Sequence, residues 1–136
     1  MIEVAVDTNV FIASLLEKDH FYTDALDFIE CIETTKCRAH ISRIVVVELA
    51  GAISRRIDED SAREAVDIMN GWIIEGKVKT YDLNKKRMVR AAELATELKV
   101  RGMDAIALQI ADELKIPFKS YDEEVKRKIE RLVEVL

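Results

Sequence analysis

The chain has 136 residues, 49% of them apolar and 35% charged, with one Pro and four Gly. That balance excludes a disordered or low-complexity protein and leaves enough apolar side chains for a core of ordinary size. The net charge of -5 excludes long-range attraction of the whole protein to nucleic acid. Local basic surface remains at Arg55-Arg56, at Lys85-Lys86-Arg87 with Arg90, and at Lys99 with Arg101. No apolar run approaches the ~20 residues of a membrane span, and Met1-Ile2-Glu3 lacks the basic start of a signal peptide. The expectation is a cytoplasmic protein with no membrane partner.

In chain order, Ile2 to Val6 is a short apolar run rich in β-branched residues that stops at Asp7, and it reads as a buried, central first strand. Val10 to Leu16 reads as a short helix. Phe21 to Ile32 reads as a second, with Phe21, Ala25, Phe28, Ile29 and Ile32 at helical spacing. Cys37 to Ile41 is a second strand. Ser42 then serves as the N-cap of a helix through Ile53, an apolar stretch longer than most strands. Ser61 to Ile74 is an amphipathic helix with Ala65, Ile68, Met69, Trp72 and Ile73 on one face, stopped by Gly76. Lys77 to Leu83 alternates like an edge strand, and Asn84 caps a helix from Lys85 to about Leu98. Met103 to Leu114 is so apolar that most of its surface must be buried. A short strand starting at Ile116-Pro117-Phe118, a charged helix from Asp122 to Ile129 and a last strand from Leu132 to Leu136 complete the chain. Strands alternating with helices at this spacing define an α/β protein. The expectation is one domain over residues 1–136, with a mainly parallel sheet of about five strands layered by helices.

Cys31 and Cys37 have no Cys-x-x-Cys spacing and read as two small, partly buried thiols, in keeping with a reducing compartment. His20 and His40 have no partner at metal-ligand spacing and read as surface or loop residues.

The acids carry the chemistry. Asp7 ends the first strand, at the edge where open α/β sheets bind ligands. Glu48 is the only ionisable residue between Ile44 and Ile53. A carboxylate among apolar neighbours calls for a cation or a strong donor beside it. Asp104 opens the most apolar helix, where an acid also suits the helix dipole. Asp122 precedes a helix, where it also suits an N-cap. In a parallel sheet Asp7, Asp104 and Asp122 fall on one edge, because strands end where crossover helices begin. Carboxylates without His or Cys form a hard-oxygen site suited to Mg²⁺ or Mn²⁺, and the chemistry that needs one is attack of water on a phosphodiester.

Val6-Asp7-Thr8-Asn9-Val10, Val47-Glu48-Leu49, Gly102-Met103-Asp104-Ala105-Ile106-Ala107 and Ser120-Tyr121-Asp122 resemble the four acidic motifs of PIN-domain ribonucleases. The resemblance covers essentially the whole chain and is closest to the single-domain toxins of VapBC toxin–antitoxin pairs. At the fourth motif the family usually has Thr-x-Asp or Thr-x-Asn, so Ser120 keeps the hydroxyl and Tyr121 is the departure. The resemblance implies a PIN-like (Rossmann-like) three-layer α/β/α fold and an Mg²⁺- or Mn²⁺-dependent endoribonuclease. It implies that Asp7, Glu48 and Asp104 hold a metal and orient water, that Asp122 completes that site or helps a second ion, and that Thr8, Asn9 and Ser120 support the carboxylates. It also implies a homodimer and a cognate antitoxin that blocks the site. The helix with Trp72 and the Phe21–Phe28 helix are candidate surfaces for these contacts.

Two other readings differ in class. A phosphotransferase of the haloacid-dehalogenase type needs a second Asp two residues after the first, and that position is Asn9. A PIN-fold adaptor that binds RNA or protein with weak or no cleavage is the alternative. It would show no specific Mn²⁺ site. Neither a Gly-x-Gly-x-x-Gly nor a Walker A sequence occurs.

Overall fold

The computed structural model describes residues 1–136. Four strands, β1 (Ile2–Val6), β2 (Cys37–Ser42), β3 (Val78–Tyr81) and β4 (Phe118–Lys119), form one sheet in the order β3-β2-β1-β4. All three pairings are parallel. β1 is an inner strand, as expected for an apolar run buried on both faces. Its side chains alternate: Val4 and Val6 enter one core, Ala5 the other.

The helices sort onto those two faces. α1 (Thr8–Ala13), α2 (Tyr22–Glu33), α3 (Ile44–Arg56) and α4 (Glu59–Ile74) cover the Val4 and Val6 face. α5 (Lys85–Leu98), α6 (Gly102–Leu114) and α7 (Glu123–Ile129) cover the Ala5 face. Ala105, Ala107 and Ala111 let α6 lie close over β1 and β2, and the helix is buried continuously from Ala107 to Asp112 while Met103 and Glu113 near its ends are exposed. Asp58 and Asn84 cap α4 and α5 by accepting from the amides of Ser61 and Arg87 at 2.7 and 2.9 Å. Gly76 takes φ +78 beyond the end of α4, the left-handed stop expected of it. No helix is long and apolar enough to cross a membrane.

Several expectations are corrected. The sheet has four strands, not five: of Leu132 to Leu136 only Val135 pairs, in a single bridge to Phe118. Ser42 is the last residue of β2 and Arg43 holds the N-cap position of α3, while Ser42 Oγ accepts from the amide of Ile44, the first residue of that helix, at 3.4 Å. Cys31 and Cys37 are joined in a disulfide, with Cα atoms 5.4 Å apart, because the turn after α2 folds its last turn back onto the start of β2. The cysteines therefore no longer argue for a reducing compartment. His40 is neither surface nor loop. It is buried in β2, its Nε2 3.0 Å from Glu3 Oε2 and its Nδ1 2.8 Å from the Tyr81 hydroxyl. A lone polar residue in a strand is buried when its neighbours in the sheet supply partners, and Glu3 and Tyr81 do.

Candidate active site

The carboxyl ends of β1, β2 and β4 lead into the segments that carry Asp7, Glu48 and Asp122, and Asp104 stands in the first turn of α6, which follows α5. Asp7 follows β1 directly and is the N-cap of α1, accepting from the Thr8 amide at 2.8 Å. It is only 6% exposed, and every hydrogen bond it receives comes from a neutral group. The Ser120 hydroxyl donates to its Oδ2 at 2.9 Å and the Asn9 amide at 3.3 Å. Burial is the main cause that pushes its carboxyl up to about 7, opposed by the Ser120 hydrogen bond and reinforced by the charges of Asp104 and Glu48.

Glu48 lies half-buried on α3. Val45, Leu49, Ala52 and Ile53 form that helix's inward stripe, while Val47 is 68% exposed. The run of apolar residues around Glu48 is therefore not uniformly buried. The donor expected beside it is Thr8, whose hydroxyl reaches Glu48 Oε1 at 2.8 Å. Burial again raises this carboxyl, and the charge of Asp104 adds to the rise. Asp104, in the first turn of α6, is raised by burial and then by Asp122, with Arg101 acting in the opposite sense. Each acid thus feels the next: Asp7 is coupled to Glu48 and Asp104, and Asp104 to Asp122.

Asp122 is the N-cap of α7, its Oδ1 accepting from the amides of Glu124 and Val125 at 3.0 and 3.1 Å. It also lines, with Asp104, a cavity of about 150 Å³ whose other walls include Lys99, Arg101, Glu124 and Lys128. The N-cap and site readings of Asp122 are therefore compatible. Ser120 ties β4 to β1: fully buried, it donates to Asp7 and accepts from Asn9 Nδ2 and the Asp122 amide, both at 3.1 Å. Asn9 closes the circuit by accepting from the Tyr121 amide at 3.1 Å. Through these bonds the first and fourth motifs, over a hundred residues apart in sequence, share one network.

Sequence reasoning missed what surrounds Tyr121. Its ring stacks on Phe21 at 4.4 Å between centroids, its hydroxyl donates to Asp24, and Lys119 Nζ lies 3.2 Å from Asp24 Oδ2. The hydrogen bond from Tyr121 and the cation of Lys119 hold the Asp24 carboxyl low. The one signal was that Tyr121 departs from the family's usual motif. Lys99 and Arg101 were legible only as surface charge.

As the side chains lie, no three His, Cys, Asp or Glu groups are spaced to enclose an ion. The donor set nonetheless fits a hard divalent cation: all oxygen, desolvated at Asp7, and with no cation hydrogen-bonded to Asp7 or Glu48.

A parallel sheet flanked on both faces, with mutually repelling carboxylates at its carboxyl edge, defines an α/β protein whose site is built from strand ends. The chain belongs to the PIN domain family, whose sequence model matches residues 4–130. Comparison with curated protein sequences gives no match. Among solved structures, the chain is similar to VapC20 of Mycobacterium tuberculosis, a Sarcin-Ricin loop cleaving toxin. The two share 16% identity and a TM-score of 0.74 over 91% of this chain and 93% of that one. It is also similar to VapBC2 from Rickettsia felis bound to a promoter DNA fragment, at 18% identity and a TM-score of 0.67 over 100% and 98% of the two chains. VapBC-1 from nontypeable Haemophilus influenzae gives 15% identity and a TM-score of 0.66 over 100% and 97%. At these identities the likeness is one of fold.

Proposed function

We propose that this PIN domain is a metal-dependent endoribonuclease that hydrolyses RNA phosphodiester bonds and acts as the toxin of a toxin–antitoxin pair. The observation that carries the reading is the buried Asp7 carboxylate, held by neutral donors and coupled to Glu48 and Asp104. In this reading Asp7, Glu48 and Asp104 hold Mg²⁺ or Mn²⁺, and Asp122 completes that site or serves a second ion. When bound, the ion supplies Lewis-acid activation of water and charge to offset the leaving oxygen. Ser120 and Asn9 fix the direction of Asp7, and Thr8 that of Glu48. Because none of these donors is charged, none neutralises Asp7 or Glu48 in place of the ion, and a bound ion would displace the proton that burial favours on Asp7.

The likeness to VapBC structures and to a toxin–antitoxin complex from Klebsiella pneumoniae supports a protein antitoxin as partner. The shallow apolar groove lined by Phe11, Leu15, Leu49, Ile68, Met69 and Trp72 offers such a partner a surface. In the homodimer we propose, a second apolar groove between α5 and α6, lined by Leu83, Met88, Ala92, Ala95 and Ile106 among others, is the candidate contact. The test is incubation of the purified protein with a mixed RNA pool, with Mn²⁺ or with EDTA. Cleavage with Mn²⁺ should fall by at least about a hundredfold in EDTA or in the Asp7→Asn variant. RNA binding without cleavage would instead establish an adaptor.

A further inference from the structure

We propose, resting on the nuclease reading above, that Arg101 is a positioning residue that takes a backbone phosphate of the RNA at the mouth of the cavity beside Asp104 and Asp122. Arg101 stands just before α6, in extended backbone (φ -67, ψ 155), three residues ahead of Asp104. Its guanidinium is exposed and makes no hydrogen bond or ion pair within the protein. Arg38, Arg43, Arg63, Arg87 and Arg90 each engage a carboxylate instead. The cavity wall also carries Lys128, but its ammonium is committed, 2.8 Å from Glu124 Oε1 and 2.9 Å from the Lys99 carbonyl. The free cations at this cavity are therefore Arg101 and Lys99.

The connection that holds them is fixed. Lys99 closes α5 in the left-handed region (φ 58), and Val100 between the two cations is buried. The anchored valine leaves an exposed cation on either side of it. The cavity, about 150 Å³, is several times the ~30 Å³ of a liquid water and admits a phosphate group with its hydration.

Charge makes the case for a ligand. A phosphodiester approaching Asp7, Glu48, Asp104 and Asp122 meets like charge, and the chain's net charge of -5 offers no general attraction. The attraction must be local, and Arg101 places it where Asp104 and Asp122 line the same space. A planar guanidinium suits the task better than an ammonium, because its donors match two phosphate oxygens at once. The simpler role, in which Arg101 only balances Asp104, makes no prediction for RNA affinity.

The test is anisotropy of a fluorescein-labelled, mixed-sequence single-stranded RNA in EDTA, over a salt series, beside steady-state cleavage with Mn²⁺. Arg101→Gln should weaken binding about tenfold and reduce the slope of log affinity against log salt by about 0.7, the value of one phosphate contact on a single strand. The cleavage loss should lie in KM. Arg101→Lys should restore the slope and only part of the affinity. An Arg101→Gln protein that melts like the parent and keeps its RNA affinity and salt slope overturns the proposal, as does an effect confined to the pH profile. If the parent cuts RNA and Arg101→Gln binds it equally well, only this assignment falls. If the parent neither binds nor cuts RNA, the nuclease reading falls and takes this one with it.

Discussion

Replacing Asp7 by Asn probes the site through stability as well as chemistry. The Asp7 carboxyl titrates at about 7 in the folded protein against an ordinary 3.8, so the fold favours its neutral form. The cost of ionisation is absent below the unfolded value, grows as pH rises, and is complete above the folded value. A shift of roughly 3 pH units at ~1.4 kcal/mol each corresponds to roughly 4 kcal/mol at pH 8, of which roughly 1.5 is already present at pH 5. Between those two pH values the metal-free parent should lose about 2.5 kcal/mol through this one group, or about 10 °C of melting temperature for a chain of this size. Asn cannot ionise. Its Oδ1 keeps the Thr8 amide, while its amide turns a donor toward Asn9 Nδ2, a mismatch worth about 1 kcal/mol. In EDTA the variant should therefore melt near the parent at pH 5 and exceed it by about 3 kcal/mol at pH 8, while its cleavage is lost. Saturating Mn²⁺ at pH 8 should close that gap by stabilising the parent, by about 2.7 kcal/mol at a hundredfold excess over Kd. Thermal melts of both proteins in EDTA across pH 5 to 8 check this. Parallel curves would refute the claim that Asp7 is held uncomfortably charged at neutral pH.

Glu48→Gln should also raise the melting temperature in EDTA at pH 8, by less than about 1 kcal/mol because solvent screens a half-exposed group; a clear drop would count against a crowded acidic site. Ser120→Ala removes the hydroxyl that joins Asp7, Asn9 and the Asp122 amide, and should cost about 2 kcal/mol in denaturant melts and lower cleavage at least about tenfold. Reducing the Cys31–Cys37 disulfide, or replacing both cysteines by Ser, opens a small loop and should cost about 2 kcal/mol. Melting curves with and without dithiothreitol check this, and identical curves would show that the link does not contribute.

The elements that sequence made legible are those whose period is strong. The alanine-rich α6, the capped α4 and α5, and the apolar β1 are each over-determined by several residues pointing the same way. Asp7 was legible for the same reason, as a polar stop on a buried strand. The misreadings involve residues whose state depends on distant partners. The strand expected over Leu132 to Leu136 is reduced to a bridge at Val135, because the neighbour it pairs with, β4, is two residues long. His40 is buried by Glu3 and Tyr81, which approach it only in the sheet. Cys31 and Cys37 meet because a turn with Thr35 at φ 59 doubles the chain back, and spacing alone carries no such geometry. α3 is the helix expected from the length of its apolar stretch, and Val47 faces solvent because only every third or fourth residue faces inward.

The short strand β4 has a practical consequence. On its outer side Phe118 donates to the Glu134 carbonyl at 2.8 Å and accepts from the Leu136 amide at 2.9 Å. The last three residues therefore act as a clasp on the segment that presents Ser120 and Asp122, although they lie beyond the family match. An affinity tag fused directly after Leu136, or a deletion from residue 131 onward, would loosen that clasp. An inactive preparation made that way would say nothing about the acids themselves.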